Sequence, residues 1–143
     1  MKVNIYNNPD VQVMVEEEQL IHFEFGLPGF EDLKIYAIIE IEEYNPFLLL
    51  HSVEDQSIAM VILKSNLLDE ENEFEIPENK LKNLKEKGKN EFEIFFILKI
   101  HEDDKQITAN VKAPVLINFV NQKGSQIILD DNKLSMDFPI LPS

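Results

Sequence analysis

The stretch Glu91-Phe92-Glu93-Ile94-Phe95-Phe96-Ile97-Leu98-Lys99-Ile100 sets the period of the whole chain. Phe92, Ile94, Phe96, Leu98 and Ile100 recur at every second residue, the spacing that puts side chains on one face of a β-strand. The opposite face starts with Glu91 and Glu93 and turns apolar at Phe95 and Ile97, so this strand leaves a solvated edge and enters a region buried on both sides. The same period appears upstream, where Ile21, Phe23 and Phe25 alternate with His22 and Glu24. It returns where Ile35, Ala37, Ile39 and Ile41 alternate with Tyr36, Ile38 and Glu40. Further apolar or alternating runs lie at 47–53, 57–63, 106–111, 115–120, 126–129 and 134–138. About ten strands at this spacing describe an all-β domain.

Turn chemistry agrees with the period. His101-Glu102-Asp103-Asp104-Lys105 and Asn121-Gln122-Lys123-Gly124-Ser125 separate consecutive runs and read as hairpin loops, which makes those strands antiparallel. Ala113-Pro114 restricts the chain to extended geometry and suits the entry to a strand. One segment breaks the pattern. Pro77 at a first helical position, Glu78 in the first turn, Leu81 and Leu84 three apart, lysines toward the end and Gly88 as a stop predict one short helix over about residues 77–88. No linker or repeat divides the chain, so residues 1–143 are expected to form a single domain, a compact antiparallel β-barrel-like structure with that one helix.

Composition narrows the chemistry. The chain has 143 residues, with 27 Asp plus Glu against 13 basic residues, all Lys, for a formal charge of −14. Such a field repels nucleic acid, whose affinity for proteins comes largely from Lys and Arg displacing counterions, and it favours a basic or apolar partner. With no Cys, disulfides, thiolate nucleophiles and cysteine-ligated metals are excluded. His22, His51 and His101 stand far apart, no Gly-x-Ser-x-Gly elbow surrounds a serine, and Gly26-x-x-Gly29 lacks the third Gly and the Lys of a phosphate loop. No catalytic residue, metal or cofactor is expected. No apolar run approaches the roughly 18 residues that cross a bilayer, and the N-terminus lacks a long apolar core, so a cytoplasmic location is the simplest expectation.

The most unusual local sequence is Phe25-Gly26-Leu27-Pro28-Gly29-Phe30-Glu31, a strand ending in a tight turn that carries two large apolar residues. Leu27 and Phe30 either fold back to plug the open end of a barrel or face a partner. The acidic clusters are Glu16 to Glu18, Glu40 with Glu42 and Glu43, Asp69 to Glu75, Glu91 with Glu93, and Glu102 to Asp104. Each alone reads as a solvated face, and together they steer a cationic protein inward.

Four segments then take on a joint meaning: Ile21 to Glu31 with its Gly-Leu-Pro-Gly-Phe-Glu, Pro46 to Asp55, Asn110 to Asn118 with its Ala-Pro-x-x-Ile-Asn, and Gln126 to Leu129. In this order, across most of the chain, they resemble the flagellar assembly factor FliW family. His51, Val111 and Lys112 depart from the Gln, Leu and Arg common in that family. The resemblance implies a non-enzymatic protein that binds the carbon storage regulator CsrA and relieves its repression of flagellin mRNA. It also implies binding to flagellin, which releases the regulator. The resemblance does not assign the surface; the apolar loop and the acidic clusters supply the expected contact residues, Leu27, Phe30, Glu31, Glu40, Glu42, Glu43, Phe47, Glu71, Glu73, Glu102, Asp103 and Asp104. A small-molecule-binding barrel is the competing expectation. It needs polar groups converging inside an apolar cavity, whereas the inward lines here are nearly all Ile, Leu, Val and Phe.

Overall fold

The computed structural model describes residues 1–5, 8–68, 76–81, 92–103 and 105–141. They contain eleven strands: β1 (Lys2–Ile5), β2 (Asn8–Met14), β3 (Leu20–Phe23), β4 (Ile35–Glu40), β5 (Leu48–Ser52), β6 (Ala59–Lys64), β7 (Glu93–Ile100), β8 (Ile107–Ala109), β9 (Val115–Asn118), β10 (Lys123–Gln126) and β11 (Phe138–Leu141). Short 3-10 turns fall at Glu17–Gln19, Glu42–Tyr44, Ser65–Leu67 and Glu78–Lys80. Of the helix expected over about 77–88, the described part is the last of these turns, and residues 82–88 lie outside the described residues.

Seven strands close into a ring in the order β7-β6-β5-β4-β3-β10-β9, with β9 returning to β7. Every contact in it is antiparallel except β3 with β10, which is parallel. An odd number of strands cannot alternate direction all the way round a closed ring, so one parallel pair is forced. The antiparallel β-barrel-like domain expected from the sequence is found, with one parallel seam. There only Lys123 with His22 and Gly124 with Phe23 are in register. Gly124 makes this seam possible, because a Cβ at that position would lie 2.5 Å from the Phe23 ring.

Strand β7 serves two partners along one edge. Residues Glu93 to Phe95 pair with β9, and Leu98 to Ile100 pair with β8, to which β11 adds. The hairpin of β1 and β2 forms a separate two-stranded sheet. The result is three apolar layers. Ile21, Phe23, Leu27, Tyr36, Leu50, Phe95 and Ile117 fill the ring. Phe96, Leu98, Val111, Leu116 and Leu134 pack on its outer side near β8 and β11. Val3, Ile5, Val15, Ala37, Ile39 and Leu49 pack beneath the β1–β2 hairpin. Strand β4 therefore buries Tyr36 on one face and Ala37 and Ile39 on the other, which is why its sequence is almost continuously apolar.

Two local readings change. Phe25 does not continue the inward line of Ile21 and Phe23, because the Gly26 N–H donates to the Phe23 carbonyl at 2.9 Å, turning the chain and leaving Phe25 exposed. The second hairpin is shorter than expected, with its turn at 119–122 and Lys123, Gly124 and Ser125 inside β10. Gln122 takes the left-handed conformation there, with φ at 59°, and its side-chain amide donates to the Leu20 carbonyl at 2.9 Å, tying the turn to β3. The hairpin between β7 and β8 forms as expected, closed by the His101 N–H on the Gln106 carbonyl at 2.8 Å.

Tyr36 packs edge-on against Phe23, with ring centroids 5.3 Å apart, and its hydroxyl has no hydrogen-bond partner among the described residues. Burial, with a smaller contribution from the Glu54 carboxylate, pushes the phenol up from 10.0 to about 12. Because the folded value is raised, the stabilisation tied to the neutral phenol is complete below pH 10 and is lost as pH climbs toward 12. Tyrosinate absorbance should therefore show a step near pH 12 that Tyr36→Phe removes. A step near pH 10 from Tyr36 in the folded protein would contradict this environment.

Candidate functional site

Strand β4 ends on a line of outward isoleucines, Ile39 and Ile41, and the chain then turns sharply. The Tyr44 N–H donates to the Ile41 carbonyl at 2.9 Å, and the Phe47 N–H to the Tyr44 carbonyl at 2.8 Å. These bonds hang Tyr44 and Phe47 over Leu48, Leu49 and Val61, while Ile100 at the end of β7 supplies the far wall. The outcome is an apolar groove of about 270 Å³. It stays open because the β1–β2 hairpin covers one side of this outer surface and the β8–β11 extension covers the other. Tyr44 is 46% and Ile100 58% exposed, a cost in apolar hydration that a bound partner would remove.

Carboxylates line the approach. Glu40, Glu42 and Glu43 are exposed along the β4–β5 connection, and Glu102 and Asp103 are exposed at the hairpin tip that begins two residues after Ile100. None of them is paired with the described lysines as Glu93 is with Lys64, at 3.4 Å. An apolar floor between unneutralised acidic rims fits an amphipathic cationic surface.

The expected contact residues thus separate. Phe47 lines the groove, the exposed Glu42 and Glu43 stand beside it in the chain just before Tyr44, and Glu102 and Asp103 follow its far wall at Ile100. Glu40, by contrast, lies on the opposite face of β4 from Ile39 and lines a separate pocket with Ile38 and Phe95. Glu71, Glu73 and Asp104 lie outside the described residues. Leu27 is buried in the ring interior, away from this outer surface. Its turn is held by the Phe30 N–H on the Leu27 carbonyl at 2.8 Å, with Gly26 and Gly29 at φ of 65° and 88°. A Cβ on Gly26 would also sit 2.7 Å from the Glu31 backbone. Phe30, expected to plug the barrel beside Leu27, instead remains 36% exposed, because the turn directs only one of the two side chains inward. Glu31 braces the same turn by accepting from the Gly29 N–H at 3.2 Å.

The sequence alone did not single out Tyr44 and Ile100. The available signals were an aromatic residue in the Glu-Glu-Tyr-Asn-Pro turn and an isoleucine between Lys99 and His101 at the end of an otherwise buried line. The histidines are dispersed. His51 is buried with Nδ1 2.9 Å from the Ser52 carbonyl, His101 Nε2 meets Thr108 Oγ1 at 3.0 Å, and His22 is exposed. Among the described residues no three His, Cys, Asp or Glu are grouped to hold a metal ion. No described helix is long and apolar enough to cross a membrane.

Residues 4–140 match the family described as FliW protein. A flagellar assembly factor FliW from Clostridium tetani is 36% identical over 140 residues, covering 98% of this chain and 95% of its own. The chain belongs to the FliW family. A second FliW, from Caldanaerobacter subterraneus, is 41% identical over 126 residues, with 87% and 84% covered. A crystal structure of the flagellar assembly factor FliW superposes with a TM-score of 0.86 over 100% of this chain and 99% of that one, at 24% identity, so the fold is shared. FliW proteins are regulators without catalytic activity, in keeping with a site built from apolar side chains and solvated carboxylates.

Proposed function

We propose that this protein is a cytoplasmic flagellar assembly factor that binds a CsrA-type translational regulator through the acid-rimmed groove, so that repression of flagellin mRNA is relieved. Flagellin is the second partner and competes for the same surface. The observation that carries this reading is the coincidence of two features that the sequence left apart. Tyr44 and Ile100 are exposed walls of one apolar groove, and the exposed Glu42 and Glu43 immediately precede Tyr44 in the same connection. A basic regulator is drawn by the rim and held by the floor. The −14 charge makes nucleic acid a poor direct ligand, so the effect on mRNA runs through the regulator.

Calorimetric titration of the regulator into the protein tests this. Binding is expected to weaken as salt rises from about 50 to 500 mM and screens the rim. A combined Glu40→Lys, Glu42→Lys and Glu43→Lys variant should lose about tenfold or more in affinity. Its thermal stability should change little, since exposed substitutions typically alter stability by only about 0.5 kcal/mol each. Affinity insensitive both to salt and to these reversals would reject the groove as the regulator's site.

A further inference from the structure

Independently of the partner groove, the structure carries a second cavity, of about 410 Å³, at the end of the ring that the Leu27 turn covers. Its size falls in the usual range for small-molecule sites, roughly 300–1,000 Å³. The walls are apolar, built from Leu27, Pro28, Met60, Ile97 and Met136, and Met136 is 61% exposed at the lip. Three polar residues also line it, Lys112, Asn110 and Gln126.

The state of those polar groups defines the ligand. Asn110 Oδ1 accepts from the Ala113 N–H at 3.1 Å, and Gln126 Nε2 donates to the Ala113 carbonyl at 3.0 Å. These bonds fix both amides and leave the Asn110 amino group as a donor. Lys112 is half-buried and forms no ion pair among the described residues, although the chain carries 27 carboxylates. Among the described residues no acidic side chain lines the cavity. We propose that this mouth binds a medium-chain monocarboxylate, its acyl chain against Met60, Ile97 and Met136 and its carboxylate on Lys112 and the Asn110 amide. A peptide fits less well. Its several buried N–H and C=O groups would outnumber the one amino group and one amide oxygen that Asn110 and Gln126 leave unused. The methionines suit an acyl chain, since their unbranched thioethers adapt to irregular apolar shapes.

The test uses the full chain with methionine methyls carrying ¹³C, titrated with decanoate, decanol and octanoate. Saturable one-to-one binding of decanoate is expected, with the Met60 and Met136 methyl signals shifting together. Octanoate should bind about sixteen-fold more weakly, at about fourfold per methylene, and decanol more weakly than decanoate. Lys112→Gln keeps the backbone bonds that hold this loop, from the Lys112 N–H to Ser135 and from the Leu129 N–H to the Lys112 carbonyl, so it should fold. It should lose about tenfold in decanoate affinity while binding decanol as before. The proposal is overturned by unsaturable uptake, by static methionine signals, by unchanged decanoate affinity in Lys112→Gln, or by an apolar tripeptide with a free C-terminus binding where decanoate does not.

Discussion

Leu27→Ala is expected to lower the unfolding free energy by about 2–5 kcal/mol, the range for removing a buried leucine side chain from a core that cannot fully collapse. Leu27 is 1% exposed and packs in the ring interior beside Phe23, Tyr36 and Ile117. Its neighbours are strands locked in a closed ladder, so they have little freedom to fill the space. Phe30→Ala, three residues on, should cost much less, because 36% of that residue already meets solvent. Denaturant unfolding of the two variants decides the matter. Equal losses, or a loss below about 1 kcal/mol for Leu27→Ala, would mean that the turn does not close the interior as described. Neither change should alter regulator affinity if the acid-rimmed groove is the site, since the turn and the groove lie on different surfaces.

How much of this was legible in the sequence depended on the range of the interactions involved. The two-residue period of β7, the hairpin after it and the strand entry at Pro114 are local, and each is found where the residues predict. The two-sided burial of β7 was also readable, because Phe95 and Ile97 sit opposite Phe96 and Leu98. The parallel seam between β3 and β10 was not, since it follows from the number of strands in the ring and from a Gly124 contact with Phe23, about a hundred residues away in sequence. The groove was hidden for a similar reason. Ile39, Leu49 and Val61 look alike as alternating apolar residues, and only the reach of the β1–β2 hairpin decides which part of their surface stays uncovered. The acidic residues could be named in advance, but the exposed apolar floor beside Glu42 and Glu43 could not.

Flagellin is expected to release the regulator from this protein and not to join it in a ternary complex. The sequence left open whether the two surfaces overlap, because one of about 800 Å² for each partner could lie beside another on a chain of 143 residues. The geometry favours overlap. A basic regulator is drawn to Glu40, Glu42 and Glu43, and an amphipathic flagellin segment needs the exposed apolar floor of Tyr44 and Ile100. That floor, about 270 Å³ in volume, takes the anchoring side chains of one partner at a time, so exclusion is steric and requires no change of shape in the protein. Steric competition makes a definite prediction. Regulator immobilised and loaded with this protein should lose it in proportion to added unpolymerised flagellin, down to none at saturation. Ile100→Asp, which places a charge on the shared floor, should weaken both partners. The charge reversals at 40, 42 and 43 should fall harder on the regulator, whose attraction depends more on the rim. Partial release that reaches a plateau would point instead to adjoining sites coupled by about 1–3 kcal/mol. A ternary complex stable at saturating flagellin would show that the groove serves only one of the two.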